Sequence, residues 1–166
     1  MKKIIALILA LVALLSFASC AGKAYSEAAK NFSNGGMTIT LTNAFEKIEM
    51  AGCAAVYTSK DAVVYVYNQP KSEFDDVKDM SIRKYLEFFC ETNKEKYEID
   101  ISAEGDIFFV EYSSASDKAT YKYLSAFFES DKKYVRVEFV AEEKNYAEYR
   151  PYFINWAKTV TFDKDA

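Results

Sequence analysis

The chain has three cysteines and no histidine, and this bounds the chemistry open to it. Without an imidazole, Ser-His-Asp and Cys-His nucleophilic catalysis are excluded, as is histidine's acid–base role near neutral pH. Five glycines leave neither a phosphate-cradling loop nor a dinucleotide fingerprint. Asp75, Asp76 and Asp79 cluster ahead of a helical stretch but lack the ligand spacing and loop glycine of an EF-hand. They read as a solvated acidic loop that favours a helix N-terminus, with a weak calcium site as the alternative. Glu87 and Glu91 lie one helical turn apart and read as solvated helix charges rather than an acid–base pair. The expectation is no catalytic residue, no metal and no cofactor. Cys53 and Cys90 have three open readings. They are free thiols packed as small hydrophobes, or, in an exported protein, a disulfide, or a pair of metal-binding thiols.

Tyrosine offers recognition rather than reaction. The chain holds 13 tyrosines. In extended segments Tyr65 and Tyr67 project to one side, as do Tyr121 and Tyr123 with Phe127 in phase. Tyr112, Tyr134, Arg136 and Glu138 have the phase to join a nearby face. A large apolar ring with a polar tip suits an interface. Tyr65, Tyr67, Tyr121, Tyr123 and Phe127 are therefore a candidate binding face for a protein, peptide or glycan. The alternative is that these rings pack under helices with their hydroxyls at the rim.

Cys20 has the clearest chemical context. Lys2 and Lys3 precede an uncharged run, Ile4 to Leu15, of about 12 residues. A membrane-spanning helix needs roughly 20. A basic head, a short apolar run and a small-residue pair, Ala18-Ser19, make a secretory leader. Phe17-Ala18-Ser19-Cys20 resembles the lipobox of bacterial lipoproteins. That resemblance implies cleavage before Cys20, diacylglycerol on its thiol and often acylation of the new amine. One acyl chain anchors a protein only marginally, whereas two hold it stably. The alternatives are an ordinary cleaved leader and an uncleaved anchor. Loss of residues 1–19 removes two of the 21 basic residues and none of the 25 acidic ones, so the charge moves from −4 to −6. A basic nucleic-acid footprint is therefore absent. The membrane contact expected is through the lipid.

These features divide the chain into a leader (1–19), an acylated Cys20 with a flexible tether (20–36), a globular domain (37–162) and a tail (163–166). Met37 to Leu41 alternates as a strand, and Phe45 to Met50 forms a second extended stretch. Val56-Tyr57 and Ala62 to Tyr67 pair around Ser59-Lys60-Asp61. Ile82, Tyr85, Leu86, Phe89 and Cys90 form one apolar stripe, which predicts a helix over 81–92 with Asp79 or Ser81 as cap. Four strands follow in meander order, 98–103, 107–113, 120–128 and 133–141, joined by short polar turns that favour antiparallel neighbours. A second helix carries Tyr149, Tyr152, Phe153 and Trp156 on one face. Its Asn145 and Glu148 have capping-box spacing, and Pro151 suggests a regular start near Glu148. Residues 159–162 return toward the sheet.

This order predicts an α+β domain, an antiparallel sheet of about six strands flanked by two main helices. It resembles the PsbP-like fold, named for an extrinsic subunit of photosystem II and found in many small bacterial lipoproteins. The resemblance rests on Met37-Thr-Ile-Thr-Leu, Asp61-Ala-Val-Val-Tyr-Val-Tyr, Met80-Ser-Ile-Arg-Lys-Tyr-Leu, and Tyr134 to Phe139 followed by Tyr149-Arg-Pro-Tyr-Phe-Ile. It implies a non-catalytic binding or assembly module, held on the extracytoplasmic side of the cell membrane. Two other functions stay open: an accessory sensor or inhibitor subunit of a membrane complex, and a carboxylate-dependent hydrolase. The hydrolase needs two facing carboxylates.

Overall fold

The computed structural model describes residues 23–73, 79–94, 100–116 and 119–164. Cys20, Asp75 and Asp76 lie outside the described residues, and Asp79 is exposed. In chain order the elements are β1 (Ala29–Asn34), β2 (Met37–Thr42), β3 (Glu46–Ile48), β4 (Ala55–Thr58), β5 (Ala62–Pro70), α1 (Ile82–Asn93), β6 (Asp100–Glu104), β7 (Ile107–Ala115), β8 (Thr120–Glu129), β9 (Lys133–Glu142), α2 (Glu143–Ala157) and β10 (Thr161–Phe162). Seven strands form one sheet in the order β3-β4-β5-β9-β8-β7-β6, every pair antiparallel. The meander from β6 to β9 is as predicted. A smaller sheet, β1-β2-β10, was not foreseen.

The two faces of the large sheet carry different layers. On one face Tyr57, Val64, Val66, Leu124, Val137 and Phe139 meet Tyr149, Phe153 and Trp156 of α2. The small sheet closes this core with Phe32, Ile39 and Leu41. On the opposite face α1 sets Tyr85, Leu86 and Phe89 against Val110, Phe127 and Tyr134. Covering both faces buries the central strand β9 from Tyr134 to Ala141 without a break. Its alternation is therefore one of partners rather than of exposure.

The helix over 81–92 is observed as α1, and Ser81 is its cap, its Oγ accepting from the Lys84 N–H at 3.5 Å. The second helix differs from expectation. It starts at Glu143, has no side-chain cap, and runs through Pro151. Pro151 and Ala147 are both exposed, so the Ala147 carbonyl deprived of its partner faces water. Burial of Tyr146, Tyr149, Phe153, Ile154, Trp156 and Ala157 on the other side outweighs the local penalty.

The expected tether is corrected over residues 23–36. Ala29–Asn34 is a strand in full register with β2, from Ala29↔Thr42 to Asn34↔Met37. Gly35 and Gly36 turn it back with φ of 56° and 79°. Positive φ at both central residues is the primed turn that matches strand twist, and glycine adopts it without steric cost. Upstream, a 3-10 turn at Ala24–Ser26 docks on α2. The Ala24 N–H donates to Tyr149 Oη at 3.1 Å, and Tyr25 stacks on Tyr152 with ring centroids 4.2 Å apart.

Candidate functional site

Period-two alternation and the pairing register bring the sequence-selected residues to the α1 face of the large sheet. Tyr65 stands opposite Glu138, and Glu138 opposite Ser125. One step along, Tyr67 stands opposite Arg136, and Arg136 opposite Phe127. Tyr123 pairs with both Val140 and Tyr112. Tyr121 is at the end of β8, opposite Glu142 and Ser114. All five candidate residues thus share one face. They are not equally accessible. Tyr65, Tyr123 and Phe127 are 7%, 9% and 2% exposed and act as floor. Tyr67 and Tyr121 are half-buried and pack against the cluster of Val56, Val63, Tyr65, Tyr112, Tyr123 and Val140.

The rings lie flat on their neighbours. Tyr112 and Tyr123 stack at 4.8 Å with 3° between planes, and Tyr85 of α1 stacks on Tyr134 at 4.2 Å. Tyr134 Oη donates to the Met80 carbonyl at 2.5 Å, fixing the entry to α1.

At the centre is an ion pair. Arg136 and Glu138 are 5% and 3% exposed, with Arg136 Nη1 3.6 Å from Glu138 Oε2. Glu138 Oε2 also accepts from Tyr112 Oη at 2.5 Å and Ser125 Oγ at 2.8 Å. The guanidinium stacks on Tyr67 at 4.1 Å and Phe89 at 5.0 Å, while Nη1 and Nη2 make no hydrogen bond. Burial opposes its charge, but Glu138 and the nearby tyrosine oxygens hold its pKa above the ordinary value. Burial, with Glu138 adding to it, pushes Tyr65 up to about 12 and Tyr112 well above its ordinary 10. Both hydroxyls stay protonated near neutral pH, and that of Tyr112 donates to Glu138.

Neither cysteine is bridged. Cys53 and Cys90 are half-buried free thiols. Burial raises both pKa values, that of Cys90 to about 11. The thiolate is the nucleophile, so a raised pKa slows reaction. Iodoacetamide at neutral pH is expected to modify both far more slowly in the native than in the urea-unfolded protein, read by mass spectrometry. Equal rates would contradict the burial of the thiols.

A second polar cluster, on the α2 face, escaped the sequence. Glu111 of β7 receives Arg150 of α2 through Nε at 3.0 Å and Nη2 at 2.7 Å, and Tyr146 Oη at 2.6 Å. Burial pushes the Glu111 pKa up, but Arg150 and Tyr146 outweigh it, and the net direction is down from 4.5. A depressed folded pKa gives stability that is present above the unfolded value and lost as pH falls through the folded one. The wild type is therefore expected to lose more stability than Glu111→Gln on acidification from above pH 4.5. Chemical denaturation across that window reads the difference, and parallel curves would refute it.

Among the described residues, no group of three or more His, Cys, Asp or Glu side chains is placed to hold a metal ion. No described helix is long and apolar enough to cross a membrane.

No family model matches the chain, and no curated protein sequence matches it. Solved structures do. Cyanobacterial PsbP (CyanoP) from Synechocystis sp. PCC 6803 is 12% identical, with 88% of this chain and 97% of that chain covered and a TM-score of 0.61. The Ran-binding protein Mog1p of Saccharomyces cerevisiae is 13% identical over 81% of this chain and 95% of its own, TM-score 0.51. LpqN, involved in cell envelope biogenesis of Mycobacterium tuberculosis, is 7% identical over 80% and 89%, TM-score 0.51. At such identities the likeness is one of fold. Two helices on an antiparallel sheet, in this strand order and over nearly the full length of CyanoP, give the chain the PsbP-like α+β fold.

Proposed function

We propose that the protein is a lipid-anchored extracytoplasmic lipoprotein whose folded body is a non-catalytic binding or assembly module. The observation that carries the anchor is the leader itself. An uncharged run ends in Ala18-Ser19-Cys20, and Lys23, three residues later, is already bonded to Glu148 of the folded body. The fold supports the second half of the reading. Of the proteins that share it, Mog1p binds Ran and LpqN serves envelope biogenesis. The face open to a protein, peptide or glycan partner is the half-buried part of the tyrosine layer, which includes Tyr67 and Tyr121.

The test is the intact mass of the native protein with fractionation of Cys20→Ser. A mature chain starting at Cys20 with a diacylglyceryl adduct, and release of Cys20→Ser from the membrane, are the expected results. A retained leader or an unmodified thiol would overturn the anchor. For the face, crosslinking in intact cells should trap a partner whose yield falls several-fold in Tyr121→Ser. A urea midpoint close to that of the wild type shows that the Tyr121→Ser fold is kept, so that a lower yield reads binding. An unchanged yield would remove Tyr121 from the interface.

A further inference from the structure

The span between the acylated cysteine and the body is short enough to orient the body. Lys23 is in place on α2, its Nζ 2.6 Å from Glu148 Oε1. Tyr25 also donates to Glu148, and Ala24 is fully buried. Only residues 21 and 22 separate Cys20 from Lys23, and three peptide steps reach at most about 10 Å. We propose that the solvent face of α2 around Ala147, Glu148, Pro151 and Asn155 lies against the lipid headgroups, and that the α1 face, with the tyrosine layer, points away from the bilayer. This rests on the acylation of Cys20 proposed above.

The geometry follows from the layers. α2 and α1 pack on opposite faces of the large sheet. A helix is about 10–12 Å across and packed layers stand about 10 Å apart, so the outer side of α1 stands roughly 30 Å beyond that of α2. The occupant of the α2 face is a lipid surface because the chain leading to it ends in a lipid. The exposed residues there include Lys144 and Lys158 beside Glu143 and Glu148, so neither sign of charge dominates. The acyl chains supply the affinity and the docked Lys23–Ser26 turn supplies the direction. A partner arriving from the extracytoplasmic side then meets the tyrosine layer first.

Trp156 is the only tryptophan and belongs to α2, so it serves as a native energy donor. The full lipidated protein is reconstituted in phosphatidylethanolamine–phosphatidylglycerol vesicles that carry dansyl headgroups. Transfer from Trp156 should be strong. Inserting a long Gly-Ser linker after Gly22 leaves the core untouched and should lower transfer several-fold. A Trp156→Phe, Phe88→Trp protein, with its donor on α1, should also transfer several-fold less. An adduct on Cys20 with weak transfer from Trp156, or with no effect of the linker, would overturn the orientation while leaving the anchor intact. Absence of the adduct by mass would instead overturn the anchor.

Discussion

Glu138→Leu is expected to cost about 3–5 kcal/mol of folding stability, the range for removing one partner of a buried ion pair. The cost arises from what stays behind. Arg136 keeps its charge in a site 5% exposed, with Nη1 and Nη2 already without hydrogen bonds. Tyr112 and Ser125 lose the Oε2 atom to which both donate. Stacking on Tyr67 and Phe89 softens the loss but supplies no anion. The companion result is sharper. Arg136→Met with Glu138→Leu removes both charges, and replacement of a whole buried pair by apolar residues is often neutral. The double variant should therefore be more stable than Glu138→Leu alone. Urea denaturation of the four proteins gives the coupling energy directly. Additive losses would mean that the two side chains do not sense each other.

The same pair shows what periodicity reveals and what it hides. Arg136 and Glu138 are two apart on one strand, so alternation alone puts them on one side with Tyr134. The same rule places Tyr65 with Tyr67, and Tyr121 with Tyr123 and Phe127. Register decides which of these rows touch, and register depends on turn lengths and on both sheet faces together. That Tyr65 faces Glu138 and Tyr67 faces Arg136 became visible only with β5 beside β9. Burial was hidden for a related reason. A strand carrying Arg, Glu and Lys reads as an edge or a half-wet strand, yet β9 is central and covered on both faces.

Local signals misled in two places. Pro151 argued for a late helix start because proline removes an interior hydrogen bond, a cost of roughly 3 kcal/mol. Tertiary burial of the Tyr149–Trp156 side overrode it. The tether expected over 20–36 ends on Asn34-Gly35-Gly36, and in the structure these residues make a hairpin turn. The neighbouring segment, Ala29 to Asn34, has a single large apolar residue, Phe32, and so gives almost no alternation to read. Glu111 and Arg150 are far apart in sequence and on different elements, and nothing in either segment announces their pairing.

A soluble chain that begins at Met37 should be far less stable than one that begins at Lys23. Residues 23–36 are absent from the first, and with them goes β1, the longer of the two neighbours of β2. Phe32 is 8% exposed and packs 4.8 Å from the Tyr57 ring. Truncating a buried phenylalanine to alanine costs about 3–5 kcal/mol, and loss of the whole strand removes its ladder as well. Thr42 loses the Ala24 carbonyl to which it donates, and Tyr149 loses the Ala24 N–H. Met37, Ile39 and Leu41 remain on a strand whose only other partner is the two-residue β10. An unpaired apolar edge of this kind invites association between chains. Three proteins separate the terms: the chain from Lys23, the same chain with Phe32→Ala, and the chain from Met37. Urea midpoints should fall in that order, and light scattering should rise for the last. A chain from Met37 as stable as the chain from Lys23 would restore the tether and, with it, free the body from any fixed relation to the membrane.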